Sequence, residues 1–320
     1  MFHDDGFFMT VLDFHALPAR WTTRFAPSPT GLLHLGHAAN AVFVWGLARA
    51  FDGRVLLRLE DHDRSRCRPE YESALLDELD WLGLVPDEGS TDAFRRGPHA
   101  FRQSDDGARY ETALARLEAR GLVYPCDCSR RDIARAVPVA PGEEPRYPGR
   151  CRTRGVDPLS TPARRVRMEP GVERFDDLRM GPQSQDPDAQ CGDLLLRDRL
   201  GQWTYQFAVV VDDIAQQVDV VIRGEDLLDS TARQIRLARL LGRDVPPRFL
   251  HHPLIRKPSG EKLSKAAGDA GLAELRAAGM TAAEVLGRAA FLVGLQSEPR
   301  PVAAEELQRL FRDRPPLSWR

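Results

Sequence analysis

Two histidines stand three residues apart in Pro27-Ser28-Pro29-Thr30-Gly31-Leu32-Leu33-His34-Leu35-Gly36-His37, where a short apolar run breaks and a helical pattern begins. A helix start presents unsatisfied N–H groups that attract anions, and a glycine there lets a nucleotide approach the backbone. Two imidazoles on that turn can donate to phosphate oxygens as negative charge builds. The same spacing also suits helix caps or metal ligands, so alone it leaves phosphate chemistry one option among several. A second candidate is Lys262-Leu263-Ser264-Lys265. Of 45 basic residues only three are lysines, Lys257, Lys262 and Lys265, and all three fall within nine positions. A compact ammonium on a flexible stem can follow a departing pyrophosphate better than a planar guanidinium can. An exposed polar turn would look similar.

Three charged residues fall at the ends of predicted strands: Arg24, Glu60 and Arg223. Two arginines there can clamp a dicarboxylate through charge-assisted hydrogen bonds, and a glutamate can accept from an ammonium. Taken singly, each also reads as half of a surface ion pair. The thiols of Cys126, Cys128 and Cys151 favour a metal over a disulfide in a chain with five cysteines. Three thiolates leave one tetrahedral position open, for which His251 and His252 are candidates by residue type. Cys67 and Cys191 show no partner pattern.

These side chains need an α/β scaffold to meet. Thr22–Ala26 reads as a buried strand, about Gly36 to Phe51 as a helix turned by Asp52-Gly53, and Arg54–Leu59 as a second strand. Helices follow near Pro69–Gly83 and Ala108–Gly121, an order that implies parallel pairing. Residues 123–192 break the rhythm, with four of the five cysteines and many prolines and glycines, and read as an insertion. The α/β pattern is expected to resume at Asp193–Arg197, ahead of the apolar runs Phe207–Val211 and Val218–Ile222 and a helix from Ser230 to Leu241. This divides the chain into a lead-in (1–20), a first core half (21–122), the insertion (123–192), a second core half (193–250), and the lysine loop with a helical tail (251–320).

Net charge is −2, so the whole chain is no general nucleic-acid binder. The stretch from Arg130 to Arg174, however, carries eleven arginines against six acidic residues. No apolar run approaches the roughly 20 residues that span a bilayer, and the start is acidic where a secretory signal is basic. A cytoplasmic, monomeric protein that meets no membrane is the expectation.

The run Arg24-Phe25-Ala26-Pro27-Ser28-Pro29-Thr30-Gly31, followed by His34-Leu35-Gly36-His37, resembles the opening of glutamyl-tRNA synthetases, with Leu35 in place of the usual Ile. Lys262-Leu263-Ser264-Lys265 is similar to the Lys-Met-Ser-Lys loop of class I synthetases. The resemblance implies a Rossmann-like class I catalytic core in which His34, Gly36, His37 and Lys265 bind ATP, and His34, His37, Lys262 and Lys265 serve catalysis. It implies that Arg24, Ala26, Ser28, Glu60, Tyr205 and Arg223 contact L-glutamate. In a short branch of the family the insertion carries Cys-x-Cys and then Tyr-x-x-x-Cys, which here are Cys126, Cys128, Tyr147 and Cys151. That pattern implies a zinc held by three thiolates and a tyrosine. The resemblance covers roughly residues 21–275, and the 45 that follow are too few for an anticodon-binding domain. The expected substrates are therefore those of the short branch: ATP with Mg2+, L-glutamate and aspartate tRNA carrying queuosine. A glutamate-adenylating ligase for a non-tRNA acceptor and a non-catalytic zinc-stapled RNA-binding relic are the alternatives. Arg150, Arg152, Arg164 and Arg165 are candidates for phosphate contacts.

Overall fold

The computed structural model describes residues 17–140, 144–256 and 270–312. The lysine loop, with Lys257, Lys262 and Lys265, lies outside the described residues. Strand β1 (Thr22–Phe25) leads through the proline-rich break into helix α1 (Leu35–Ala50), and β2 (Arg54–Leu57) returns parallel to β1. Asp52 (φ 55°) makes the turn between them in a left-handed conformation that aspartate tolerates. Helices α2 (Pro69–Leu82), α3 (Thr91–Arg95) and α4 (Gly107–Ala119) follow. Proline at the first position of α2 and a left-handed Gly83 after its end mark its limits.

The middle of the chain supplies β3 (Val123–Pro125), α5 (Arg130–Ala136), β4 (Arg164–Val166), β5 (Glu173–Asp177), β6 (Gly181–Gln185), α6 (Pro187–Cys191) and β7 (Leu194–Arg197). Strands β3, β4 and β7 form an antiparallel sheet. Residues Asp193–Arg197 thus do not resume the parallel pattern. Their alternating burial suits a strand, but β7 takes β4 as its partner. The β5–β6 hairpin goes the other way, with β5 joining the parallel platform.

Helix α7 (Tyr205–Ala215) covers the run read as apolar, and β8 (Val220–Gly224), α8 (Thr231–Leu240) and β9 (Arg248–His252) complete the core. Strand β8 pairs parallel with β9 and sits beside β1, where Asp219 N donates to Thr22 O at 2.8 Å. The strands therefore run β2, β1, β8, β9, β5, β6 across the molecule. Helices α9 (Leu272–Ala277), α10 (Ala282–Leu292) and α11 (Arg309–Arg312) close the chain, and α10 and α11 pack on α1. Helix α1 is buried on nearly every side, with Val42, Phe43, Val44 and Leu47 fully enclosed, which is why its sequence is apolar all round rather than on one stripe. No helix among the described residues is long and apolar enough to cross a membrane.

Candidate functional site

The carboxyl ends of β1, β2 and β8 and the start of α1 surround one open cavity of about 310 Å³. Arg24, Ala26, Ser28, His34, Gly36, His37, Glu60, Tyr205 and Arg223 all line it. Its position at the carboxyl end of a parallel sheet is where such folds bind ligands. Pairing continues beyond the regular strands, with Arg58 N donating to Phe25 O at 3.0 Å and Glu60 N to Pro27 O at 3.1 Å. That extension carries Glu60 to the cavity wall, where its backbone carbonyl accepts from the Ser28 hydroxyl.

The histidine pair forms a reciprocal cap. His34 Nδ1 accepts from Gly36 N at 3.0 Å, and His37 Nδ1 accepts from His34 N at 3.1 Å. With Nδ1 accepting in both rings, the proton of each neutral imidazole sits on Nε2, the donor a phosphate oxygen takes. A Cβ at Gly36 would lie 2.8 Å from the His34 ring, so only glycine leaves the room that cap needs.

The two arginines of the cavity are held differently. Arg24 donates from Nε to Asp213 Oδ1 at 3.2 Å. Arg58, wholly buried, donates to the same oxygen at 2.7 Å and to Glu60 Oε1 at 2.9 Å. Burial works against the Asp213 carboxylate, but Arg24 and Arg58 outweigh it and hold its pKa below the ordinary value. Arg223 has no carboxylate within ion-pair distance among the described residues. It donates to His251 Nε2 at 3.0 Å, Gln234 Oε1 at 2.7 Å, Thr231 Oγ1 at 2.8 Å and Leu227 O at 3.2 Å, all neutral acceptors. Burial, and then the charge of Arg24, push its pKa down against the pull of Tyr205 and Asp213. A guanidinium keeps its proton in any case. A desolvated cation with neutral neighbours is a ready seat for a carboxylate.

Sequence reasoning missed Arg58, Asp212 and Asp213, which anchor this floor. The signal was present: two adjacent carboxylates in the apolar run Phe207-Ala208-Val209-Val210-Val211-Asp212-Asp213 need buried partners. Asp212 finds Gln103 at 2.7 Å, Arg109 at 2.8 Å and Tyr110 at 3.0 Å. Asn40 was missed as well; it donates to His252 Nε2 at 3.0 Å at the cavity edge. Burial lowers the His252 pKa to about 4, so the ring is neutral at physiological pH. His252 lines this cavity and His251 lies buried against Arg223, so neither completes the cysteine cluster, because β9 carries both into the parallel core.

Cys126, Cys128 and Cys151 converge in the insertion, with their sulfurs within 4.8 Å of one another. Tyr147 Oη lies 3.5 Å from Cys126 Sγ and accepts from Cys151 N at 2.9 Å. Three sulfurs and a phenolic oxygen thus face a common point, a donor set that can hold a metal ion. Burial opposes a thiolate at Cys126, but hydrogen bonds from Tyr147 and Arg165 prevail and lower its pKa. Cys128 is pushed up to about 12 by burial and by its neighbour Cys151. Cys67 and Cys191 stand apart from the cluster.

Two of the four candidate phosphate-binding arginines serve the insertion's interior instead. Arg165 is buried, with its guanidinium 3.8 Å above the Tyr147 ring, and Arg152 pairs with buried Asp193 at 2.5 Å. Arg164 is bound to Glu118 at 3.2 Å and to the Thr161 carbonyl at 2.8 Å. Arg150 is exposed.

A helix start at the carboxyl end of a parallel sheet, with a guanidinium-lined pocket behind it, is an α/β arrangement that can receive an anionic ligand. The chain belongs to the family of class I tRNA synthetases (E and Q), whose catalytic-domain pattern it matches over residues 20–297. Within that family it is similar to the glutamyl-Q tRNA(Asp) synthetase of Symbiobacterium thermophilum, at 45% identity over 90% of this chain and 91% of that protein. It is 42% identical to the glutamyl-Q tRNA(Asp) synthetase of Rhodobacter capsulatus, over 82% of this chain and 97% of that one. Among solved structures it resembles a glutamate tRNA ligase from Elizabethkingia meningosepticum in complex with its amino acid, with a TM-score of 0.75 and 26% identity. That match covers 94% of this chain and 66% of the ligase chain.

Proposed function

We propose that this chain is an ATP-dependent ligase that activates L-glutamate and transfers it to the queuosine of aspartate tRNA. The observation that carries the glutamate half is Arg223, a buried guanidinium facing the cavity without a carboxylate of its own among the described residues. The substrate side-chain carboxylate takes that place, Arg24 adds a second cation, and Glu60 with Tyr205 receives the ammonium. Ala26 and Ser28 shape the wall beside it. The α-carboxylate then points toward the start of α1.

ATP, entering with Mg2+, lies with its phosphates at His34, Gly36 and His37. An oxygen of the glutamate α-carboxylate attacks the α-phosphorus, the bond to the bridging oxygen breaks, and pyrophosphate leaves. The Nε2–H groups of His34 and His37 donate to the phosphate oxygens as charge builds, and Lys262 and Lys265 follow the pyrophosphate. A hydroxyl of the queuosine cyclopentenediol next attacks the acyl carbon, losing its proton as AMP departs. A zinc ion held by Cys126, Cys128, Tyr147 and Cys151 staples the insertion, a structural role suited to four protein donors. The enzyme acts as a monomer in the cytoplasm.

The reading is tested by transfer of labelled glutamate to aspartate tRNA with and without queuosine. Transfer is expected only with queuosine, and the ester should survive removal of the 3′-terminal adenosine. Charging of glutamate tRNA at its 3′ end, or indifference to queuosine, would overturn it.

A further inference from the structure

Among the described residues, Arg223 reaches a buried carboxylate through a histidine. Its Nε donates to His251 Nε2 at 3.0 Å, and His251 Nδ1 lies 2.6 Å from Asp177 Oδ2. His251 and Asp177 are almost completely buried, on neighbouring parallel strands β9 and β5. The proton positions follow from the partners. An arginine Nε can only donate, so His251 Nε2 must accept, and the imidazole proton belongs on Nδ1, pointing at Asp177. Thr231 Oγ1 is 3.2 Å from the same Nε2.

Asp177 cannot be exchanged for its amide without reversing this order. Its Oδ1 accepts from Arg179 N at 3.0 Å and Met180 N at 2.8 Å. Its Oδ2 accepts from His251 N at 3.1 Å as well as from the ring. Both oxygens face only donors, and an amide nitrogen at either place would meet an N–H. In an Asp177→Asn variant that kept its oxygen on the two loop amides, His251 would turn into the other tautomer, and Nε2–H would then oppose Arg223.

We propose that His251, locked by Asp177 in its Nδ1-protonated neutral form, is a positioning residue that aims Arg223 at the substrate carboxylate without cancelling its charge. The inference rests on the reading that Arg223 binds glutamate. It accounts for a buried arginine tied to four neutral acceptors in a cavity where Arg24 and Arg58 share a carboxylate. A carboxylate in direct contact would hold the guanidinium equally well but would compete with the substrate for it. The imidazole supplies the fixed angle and leaves the cation unspent.

Glutamate-dependent pyrophosphate exchange separates the possibilities, with Arg223→Ala, His251→Leu and His251→Gln assayed beside the parent enzyme. His251→Leu should raise the KM for glutamate by about tenfold or more, while the KM for ATP stays close to the parent's. His251→Gln, whose carbonyl can accept from Arg223, should recover much of that loss. Selective 15N labelling of histidine in the unsubstituted enzyme should show His251 protonated at Nδ1 at neutral pH, a readout that needs no variant to fold. An Nε2-protonated His251, or an unchanged glutamate KM in a folded His251→Leu enzyme whose Arg223→Ala counterpart is impaired, would overturn the inference. If Arg223→Ala itself binds glutamate normally, the substrate assignment fails instead.

Discussion

Arg24 and Arg58 share one oxygen of Asp213, at 3.2 and 2.7 Å, beneath the cavity that receives the candidate substrate. One carboxylate thus sets the position of a pocket arginine and of the buried arginine that holds Glu60. Asp213→Asn should therefore lower stability by about 3–5 kcal/mol, the usual result of breaking a buried ion pair from one side. The loss has a pH signature. The folded-state pKa of Asp213 is depressed, so its contribution is complete above the ordinary carboxylate pKa and disappears as pH falls through the lower folded value. Denaturant melts of parent and variant should differ most near neutrality and converge in acid. A gap independent of pH would show that the carboxylate charge is not what stabilises the floor.

The proposed zinc site depends on a close approach that no side chain tolerates. Gly192 has φ +65°, and a Cβ there would lie 2.2 Å from the Tyr147 carbonyl oxygen. Gly192→Ala should displace Tyr147 and weaken zinc retention by about tenfold, as losses around a metal's ligands do. Cys151→Ser should lower both zinc content and thermal stability. Elemental analysis of freshly purified parent protein should find about one zinc per chain, and a metal-free preparation of full stability would remove the zinc proposal.

Much of the scaffold was legible because local pattern and packing agree. Helix α1 and strands β1 and β2 fall within one or two residues of the spans read from periodicity and turn residues. Partner choice was not legible. The alternation in Leu194–Arg197 marks a strand, but nothing local tells whether it pairs with β4 or with the parallel platform. The arginines of the insertion were equally opaque, since the sequence cannot show that Arg165 lies against Tyr147 while Arg150 faces solvent. The same holds for His251, whose residue type suits a metal and whose place in β9 puts it under Arg223 instead. Every glutamate-contact position implied by resemblance lines one cavity: Tyr205 enters from the start of α7, and the others sit at or just beyond strand ends that a parallel sheet brings together.

The lysine loop carries a prediction that rests on sequence alone. Lys265→Arg keeps the charge but replaces a compact ammonium with a broad planar fork. Adenylate formation, followed by pyrophosphate exchange, should fall by about tenfold or more. Parent-like activity would mean that the confinement of lysine to this loop is accidental.

The insertion's arginines divide into those held in its interior and those facing solvent. Arg152 and Arg165 are engaged inside the insertion, so their removal should destabilise it whether or not RNA is present. Arg130, Arg131 and Arg135 on α5 are exposed, as is Arg150, and none of the four makes an ion pair among the described residues. Asp132 links the two segments: its pKa is held down by Ser129 first and then by Arg150 and Arg135, so both arginines lie near it. A basic face on the cysteine-bearing insertion fits an anticodon loop, whose unstacked nucleotides expose phosphates and hydroxyls together. Changing Arg130, Arg131, Arg135 and Arg150 to glutamine should weaken transfer of glutamate to aspartate tRNA. It should also shrink the salt slope of tRNA binding by about 0.7 for each phosphate that the protein no longer neutralises. Pyrophosphate exchange without tRNA should be unaffected, since none of the four lines the cavity. Equal loss in both assays would mean that these arginines support the fold, and an unchanged salt slope would place the RNA on another face.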